Sequence, residues 1–453
     1  MPTNLLNLRS YVVLAVDENN LDYHIRASVK DAPAGCPYCA SRQIVGFGRR
    51  EQLVRDLPMH GKRVGIYVDT RRMKCQSCGK TFSEALPDVD DKRAMTVRLE
   101  RWIGQQAIKR TFASIAEETG VTEGTVRNVF GDYVNRLEDK IRFETPRWMG
   151  IDEIHLIKPR CVISNIEHRT LVEILHNRNK DTVVKYLSGL KGRENVRYVT
   201  MDMWTPYRDA VRQVMPQASI IIDKFHVVRM ANDAMEKARK GLREQLTLKQ
   251  RRSLMHDRFV LLKREHDLND KERLLLDGWT INYPALSDVY RLKEGFYAIF
   301  DAESISDAKR RYAQWYQGIQ PETKAVFSDL IRAWGNWEPY ILGYFEHPIT
   351  NAYTESLNNL IRVMNRLGRG YSFEALRAKL LFAEGAFKRE IEKPKFQRRD
   401  WRQVDYNLPD GGGVFNRSLG HYPRHESTEQ THNERNFGTD ISTLIRLIES
   451  GEV

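Results

Sequence analysis

Apolar and polar residues alternate from Asn7 to Val29 about Glu18-Asn19-Asn20, a period of two that predicts a strand hairpin. A further strand-like run spans Lys62 to Arg72. From Thr96 to Phe143 the spacing turns helical, with Phe112, Ile115, Ala116, Val121, Val126 and Phe130 sharing one face. Gly120 separates two short helical segments and Thr122 stands where the second needs its N-cap, so Ser114 to Tyr133 reads as a helix-turn-helix.

Pro146 marks a boundary. Beyond it, Arg147 to Ile154, Cys161 to Glu167 and Leu171 to His176 predict three short strands. A helix over Asp181 to Leu190, a strand over Val196 to Met203, a helix over Tyr207 to Met215 and a strand over Ala218 to Ile222 follow. Three strands, then helix, strand, helix and strand, is the order of a ribonuclease-H-like α/β domain. Between Val227 and about Tyr344 strand signals vanish in favour of long charged amphipathic helices carrying Trp279, Trp315, Trp334 and Trp337, which reads as an all-α insertion. Asn351 to Lys388 returns to a helical pattern that would close the α/β domain. After about Lys393 the chain is polar through Gly411-Gly412-Gly413 to about Gly438, so a mobile tail is expected, with one amphipathic stretch from Ile441 to Ile448.

The expected fold is therefore a multidomain α/β chain with six segments. Residues 1–90 and 91–144 would form a zinc-ribbon domain and a helix-turn-helix domain. Residues 145–228 and 345–392 would form the two parts of the ribonuclease-H-like catalytic core, 229–344 the helical insertion, and 393–453 the tail. A length of 453 residues suits several cores. Lys and Arg number 72 against 60 Asp and Glu, a formal charge of +12 that favours a polyanionic partner. No apolar run reaches the length of a membrane span and Met1 to Lys30 lacks the order of a secretory signal, so a cytoplasmic protein with no membrane partner is expected, nucleoid-associated when on DNA.

Four of the five cysteines form two pairs, Cys36-Pro37-Tyr38-Cys39 and Cys75-Gln76-Ser77-Cys78. Each pair sits at a turn beside a strand, and two such knuckles supply the four thiolates of one tetrahedral zinc. With no open coordination position that zinc would be structural; the bland alternative is two chance or redox pairs. Cys161 reads as a small core residue. In the helix-turn-helix, the second helix would enter the DNA major groove by its N-terminal residues, making Thr122, Glu123, Thr125, Arg127 and Asn128 candidates for contact, against the alternative of an ordinary helical hairpin.

Asp152 follows the apolar strand Trp148-Met149-Gly150-Ile151, and Asp202 follows Val196 to Met201. These first and fourth strands should lie side by side, and Glu355 sits on the closing helix. Three carboxylates meeting there could hold two magnesium (or manganese) ions, the arrangement that phosphoryl transfer on DNA uses. Basic residues, among them Lys237, Arg239, Lys240, Arg243, Lys249, Arg251 and Arg252, crowd the start of the insertion, as a phosphate-contacting surface or as a solvated face.

The succession CPYC, CQSC, helix-turn-helix, GIDE, TMDMW, IIDKFHVVR and TESLNN, followed by Arg366 and Gly370-Tyr371-Ser372-Phe373, resembles the ISL3 family of insertion-sequence transposases over about Asn7 to Lys388. The resemblance implies an Asp-Asp-Glu triad of Asp152, Asp202 and Glu355 with a helical insertion before the Glu. Asp223 and His226 are similar to an acid-plus-histidine motif of several transposase groups and are carried as accessory residues, the alternative being a helix cap and a packed ring. Tyr353-Thr354 departs from the commoner pattern, in which smaller residues precede the Glu. Expected partners are double-stranded DNA, as terminal inverted repeats and target, and further copies of the chain in a dimer or larger complex. The alternatives are a non-catalytic DNA-binding regulator and a stand-alone metal nuclease.

Overall fold

The computed structural model describes residues 7–90, 92–139, 141 and 144–388. The tail read from residue 393 onward, with its Ile441 to Ile448 stretch, lies outside the described residues. Among those described, no helix is long and apolar enough to cross a membrane.

The N-terminal sheet holds β1 (Tyr11–Glu18), β2 (Asp22–Val29), β3 (Ile44–Met59), β4 (Lys62–Cys75) and β5 (Thr81–Ser83), in the order β1-β2-β4-β3 with β5 on β4. The expected hairpin is β1 with β2, and the interval between the two cysteine pairs is spanned by the long antiparallel pair β3 and β4. Strict alternation on β4 buries Val64, Ile66 and Val68 against Ile25, Ala27 and Val54, so one face of the sheet forms a core and the other faces out.

Three helices follow: α1 (Val97–Ala107), α2 (Phe112–Thr119) and α3 (Glu123–Glu138). Each is started by a threonine, Thr96, Thr111 and Thr122, whose side chain accepts the backbone N–H of Leu99, Ser114 and Thr125 respectively. Gly120 ends α2 at φ +71, a left-handed conformation that glycine reaches without cost, and this sets the turn of the helix-turn-helix.

The second sheet contains β6 (Trp148–His155), β7 (Pro159–Asn165) and β8 (Thr170–Leu175), then α4 (Lys180–Gly189), β9 (Tyr198–Met201), α5 (Thr205–Val214) and β10 (Ser219–Ile222). Its strand order is β10-β9-β6-β7-β8, with β6, β9 and β10 mutually parallel and β7 and β8 antiparallel, as the ribonuclease-H-like order requires. Strand β9 is shorter than the expected Val196 to Met203, because Val196 caps a short 3-10 turn over Arg193–Asn195 and the chain turns again at Asp202, whose carbonyl accepts the Trp204 N–H. Strands β7 and β8 are buried along nearly their whole length, as strands covered by helices on both faces must be.

The helical stretch is more broken than its charge pattern suggests. It comprises α6 (Lys224–Gly241), α7 (Leu248–His256), α8 (Arg258–Leu262), α9 (Asp270–Asn282), α10 (Pro284–Tyr297), α11 (Ile305–Gln317), α12 (Pro321–Lys324) and α13 (Ser328–Glu346). Phe296, Trp315, Phe327 and Trp334 pack in one aromatic group, with Tyr312 stacked on Trp334 at 4.1 Å between centroids. That group is continuous with the apolar face of the second sheet through Ile222, Val227 and Ile341, so sheet and helices share one core. The closing elements are α14 (Ala352–Leu367) and α15 (Phe373–Leu380), which runs into a π-helical turn over Leu381–Ala386. They cover the opposite face of the sheet, with Leu357, Ile361, Leu376 and Leu380 against Ile154, Val162 and Ile174.

Ala378 and Phe382 also complete the core of α1, α2 and α3. Between them Lys379 is buried. Its ammonium donates to the carbonyls of Ala107 and Arg110 and lies 4.4 to 5.2 Å from the rings of Phe112, Tyr371 and Phe130. Burial pushes its pKa down to about 7 against those favourable contacts. An unfolded chain holds this proton up to pH ~10.4, so between about 7 and 10 the unfolded state binds more protons and stability rises with pH. Wild type minus Lys379→Met, compared by urea unfolding, should climb through that window; a flat difference would show that Lys379 is charged in the fold throughout.

Candidate active site and cysteine cluster

The register of the second sheet aligns three aspartates. Ile151 on β6 pairs with Met201 on β9, which pairs in turn with Ile222 on β10, so Asp152, Asp202 and Asp223, each the next residue, stand level across three parallel strands, the last two just beyond the ends of β9 and β10. Asp152 does not follow its strand as the sequence suggested. It lies inside β6, paired with Val162, because β7 holds the strand in register through His155.

Helices bring the remaining groups. Asp223 caps α6 by accepting the Phe225 N–H at 3.2 Å, and the first turn of α6 projects His226 toward Asp202. Glu355 lies in the first turn of α14. His226 Nε2 stands 2.6 Å from Asp202 Oδ1 and 3.4 Å from Glu355 Oε1. The acids therefore meet as two groups sharing the imidazole, Asp152 with Asp202 and His226, and Asp223 with His226 and Glu355. Within each group the potential ligand atoms lie within 4.8 Å of one another. The sequence placed the three carboxylates around a common point; the structure sets His226 at that point.

The electrostatics follow from this crowding. Burial, then the neighbouring Asp202, pushes Asp152 up to about 8. Burial also raises Asp223. Burial opposes a charge on His226, but hydrogen bonds to Asp202 and Glu355 outweigh it and lift the imidazole to about 10. Four buried or half-buried carboxylates with one cationic ring among them leave an excess of negative charge. That excess and an all-oxygen set of acids fit a hard divalent cation such as magnesium or manganese. The rim carries exposed Trp204 and Phe225, with Arg178 over the Trp204 ring at 4.4 Å.

Residues given no role in the sequence reading hold this arrangement. Asn358 donates to Asp152 Oδ2 at 2.7 Å, while the Glu153 N–H serves Oδ1. Asn351 donates its backbone N–H to Asp223 Oδ2 at 3.2 Å. Thr354 donates to Asn351 Oδ1 at 2.5 Å and pairs with Ser164 Oγ at 2.6 Å, so the threonine that departs from the commoner pattern is part of a buried polar joint. Asn351 and Asn358 flank Glu355 at −4 and +3, the helical spacing that puts all three on one face, and that spacing was the available signal.

The two cysteine pairs form a second cluster. Cys36 Sγ lies 3.7 Å from Cys78 Sγ, Cys39 Sγ lies 3.6 Å from Cys75 Sγ, and all four sulfurs fall within 4.8 Å of one another. Zinc–sulfur bonds of about 2.3 Å in a tetrahedron require sulfur separations of about 3.8 Å, so the thiols fit that ion. The knuckles match in backbone. Ala40 N–H donates to Cys36 O and Gly79 N–H to Cys75 O, with φ of +58 and +72 at Ala40 and Gly79. Backbone N–H groups of Cys78 and Ser77 hold Cys75 down at about 6 despite its burial. Cys161 is buried in the second sheet's core, as expected.

In the helix-turn-helix, Thr122, Glu123, Arg127 and Asn128 are exposed on the first turns of α3. Arg127 pairs with Glu123 at 3.2 Å, and the Thr125 hydroxyl is 2.9 Å from that of Thr122, so Thr125 is half-buried and engaged in the cap.

Comparison with known proteins gives three family matches in chain order. The ISL3 transposase domain model, described as "Transposase", matches residues 149–380. The model described as "zinc-finger of transposase IS204/IS1001/IS1096/IS1165" matches 32–78, and "Helix-turn-helix domain of transposase family ISL3" matches 84–134. The transposase for insertion sequence element IS1001 of Bordetella parapertussis is 24% identical over 353 residues, 74% of this chain and 85% of that protein. The transposase for insertion sequence element IS1557 of Mycobacterium tuberculosis is 22% identical over 378 residues, 76% of this chain and 84% of that protein.

Proposed function

We propose, from the premise that this chain belongs to the ISL3 family of transposases, that it binds the terminal inverted repeats of its element and carries out metal-dependent strand cleavage and strand transfer. The observation that supports this reading best is that His226 is shared by two acid groups, Asp152 with Asp202 and Asp223 with Glu355, drawn from strands and helices far apart in the chain.

In this reading Asp152, Asp202 and Glu355 hold the cations. Two magnesium or manganese ions bound there supply Lewis-acid charge to the attacking and leaving oxygens of a phosphodiester exchange. Asp152 is oriented by Asn358 and the Glu153 N–H, so its carboxylate keeps a fixed direction. Asp223 is a positioning residue that ties α6 to the turn preceding Glu355. His226, protonated between the two acid groups, lowers their mutual repulsion. Water attacks a phosphodiester at the end and displaces the 3′-oxygen, leaving a 5′-phosphate and a 3′-hydroxyl. That hydroxyl then attacks a target phosphodiester, forming the new P–O bond as the target strand's own 3′-oxygen leaves. Two ends must be joined, which implies a dimer or larger assembly on DNA.

Residues 1–90 and 91–144 read the DNA ends, the first organised by a structural zinc on Cys36, Cys39, Cys75 and Cys78, the second presenting Thr122, Glu123, Thr125, Arg127 and Asn128. Residues 145–228 with 345–392 form the catalytic core around the insertion 229–344. Cys36→Ser and Cys75→Ser should each release the zinc, read by metal analysis of the purified chain, and weaken end binding by about tenfold or more, since the ribbon folds on its metal. Unchanged zinc content would remove the cysteine assignment. The proposed chemistry is tested with a duplex carrying the element's own ends, a target duplex and magnesium. Cleavage followed by joints is expected; cuts without joints indicate a nuclease, and neither product indicates a DNA-binding regulator.

A further inference from the structure

The end of α6, the short 3-10 turn over Leu242–Gln245 and α7 enclose a groove of about 430 Å³, away from the acid cluster. Its walls carry Arg239, Lys240, Arg243, Arg251 and Arg252 and no acidic residue. Two of the five are held in place: Arg239 by Glu236 at 2.8 Å, and Arg251 by the Leu246 carbonyl at 3.0 Å. Lys240, Arg243 and Arg252 are exposed; Glu236, already paired with Arg239, is also within electrostatic reach of Lys240. Leu246 and Leu254 form a buried apolar floor, while Leu248 (74% exposed) and Met255 (55%) stand at its edge.

We infer that this groove holds the sugar–phosphate backbone of duplex DNA, as a second DNA contact besides the helix-turn-helix. The charge pattern selects the occupant. Three exposed cations lining the groove suit successive phosphates, and the apolar floor suits the deoxyribose face between them. An acidic lining would repel that backbone, and a groove whose cations were all paired would gain little from a polyanion. Phosphate contact carries no sequence information, so the groove contributes affinity and salt sensitivity to any duplex the chain meets. The inference rests on the reading that the chain acts on DNA, but not on the acid cluster being catalytic.

The test uses the full-length chain and its triple variant Lys240→Ala/Arg243→Ala/Arg252→Ala, all three exposed, with Lys240→Arg/Arg243→Lys/Arg252→Lys as the charge-keeping control. Binding to an end-bearing duplex and to a duplex of arbitrary sequence is measured from about 50 to 200 mM salt. The slope of log affinity against log salt should fall by about 2.7 for three lost phosphate contacts, equally on both duplexes, and the control should keep the wild-type slope. An unchanged slope on both duplexes overturns the inference. So does a loss confined to the end-bearing duplex, which would mean base readout. Wild-type cleavage with magnesium is scored in parallel. A reduced slope without cleavage leaves the groove standing and removes the enzymatic reading; cleavage with an unchanged slope does the reverse.

Discussion

Asp152→Asn, Asp202→Asn and Glu355→Gln are each expected to lower strand cleavage at least about a thousandfold, with end binding within about twofold of wild type. The separation follows from position. Asp152 lies within β6, Asp202 just beyond β9 and Glu355 in the first turn of α14, on elements other than α3. In Asp152→Asn the amide oxygen still accepts the Glu153 N–H, but the charge that a cation requires is lost and the new NH2 replaces the oxygen that accepts from Asn358. Cleavage and binding are measured on one end-bearing duplex, and full activity in any of the three would remove that residue from the site. Wild-type binding lost together with cleavage would mean that the acid contributes to the fold instead.

Gly150→Ala is expected to be nearly as damaging without touching any acid. A methyl group on Gly150 would stand 2.5 Å from Asn351 Oδ1, Ser164 Oγ and Thr354 Oγ1, all buried and all engaged with one another. None can withdraw without leaving a buried polar atom unpaired, at roughly 1 to 3 kcal/mol each, in addition to the cost of overpacking. A loss of at least about 3 kcal/mol is a large share of a domain's stability. The turn that must shift carries Glu355 next in sequence, so cleavage should fail even in the fraction that folds. Urea unfolding and cleavage measured on the same preparation check both. A variant with wild-type stability and activity would show that the closing helix does not dock as tightly as described.

The elements were legible where one period dominated. The alternation of β4, the three-residue spacing across α2 and α3, and the order of strands in the second sheet each follow from patterns a few residues long. The thiol cluster was equally legible, since paired cysteines at turns have few other uses. What the sequence concealed was the joint between elements. Asn351, Thr354, Ser164 and Gly150 are ordinary in isolation, and only the docking of α14 on β6 brings them together. His226 was read as an accessory residue; its place between the two acid groups depends on the cap that Asp223 gives α6, a detail of helix geometry that no spacing reveals. The continuity of the helical stretch with the sheet's core was hidden for the same reason.

The ammonium of Lys379 reaches back 272 positions to a carbonyl at the end of α1, and Phe382 fills the hollow among the three N-terminal helices. Synthesis runs the other way. At roughly 5 to 20 residues per second, a ribosome needs tens of seconds to progress from Ala107 to Lys379. Through that interval the emerging N-terminal helices lack their last packing partner, so their core stays incomplete. By the time Phe382 clears the exit tunnel, every acid of the pocket has already been made, so the core of the three N-terminal helices is completed only after the acid cluster has been synthesised.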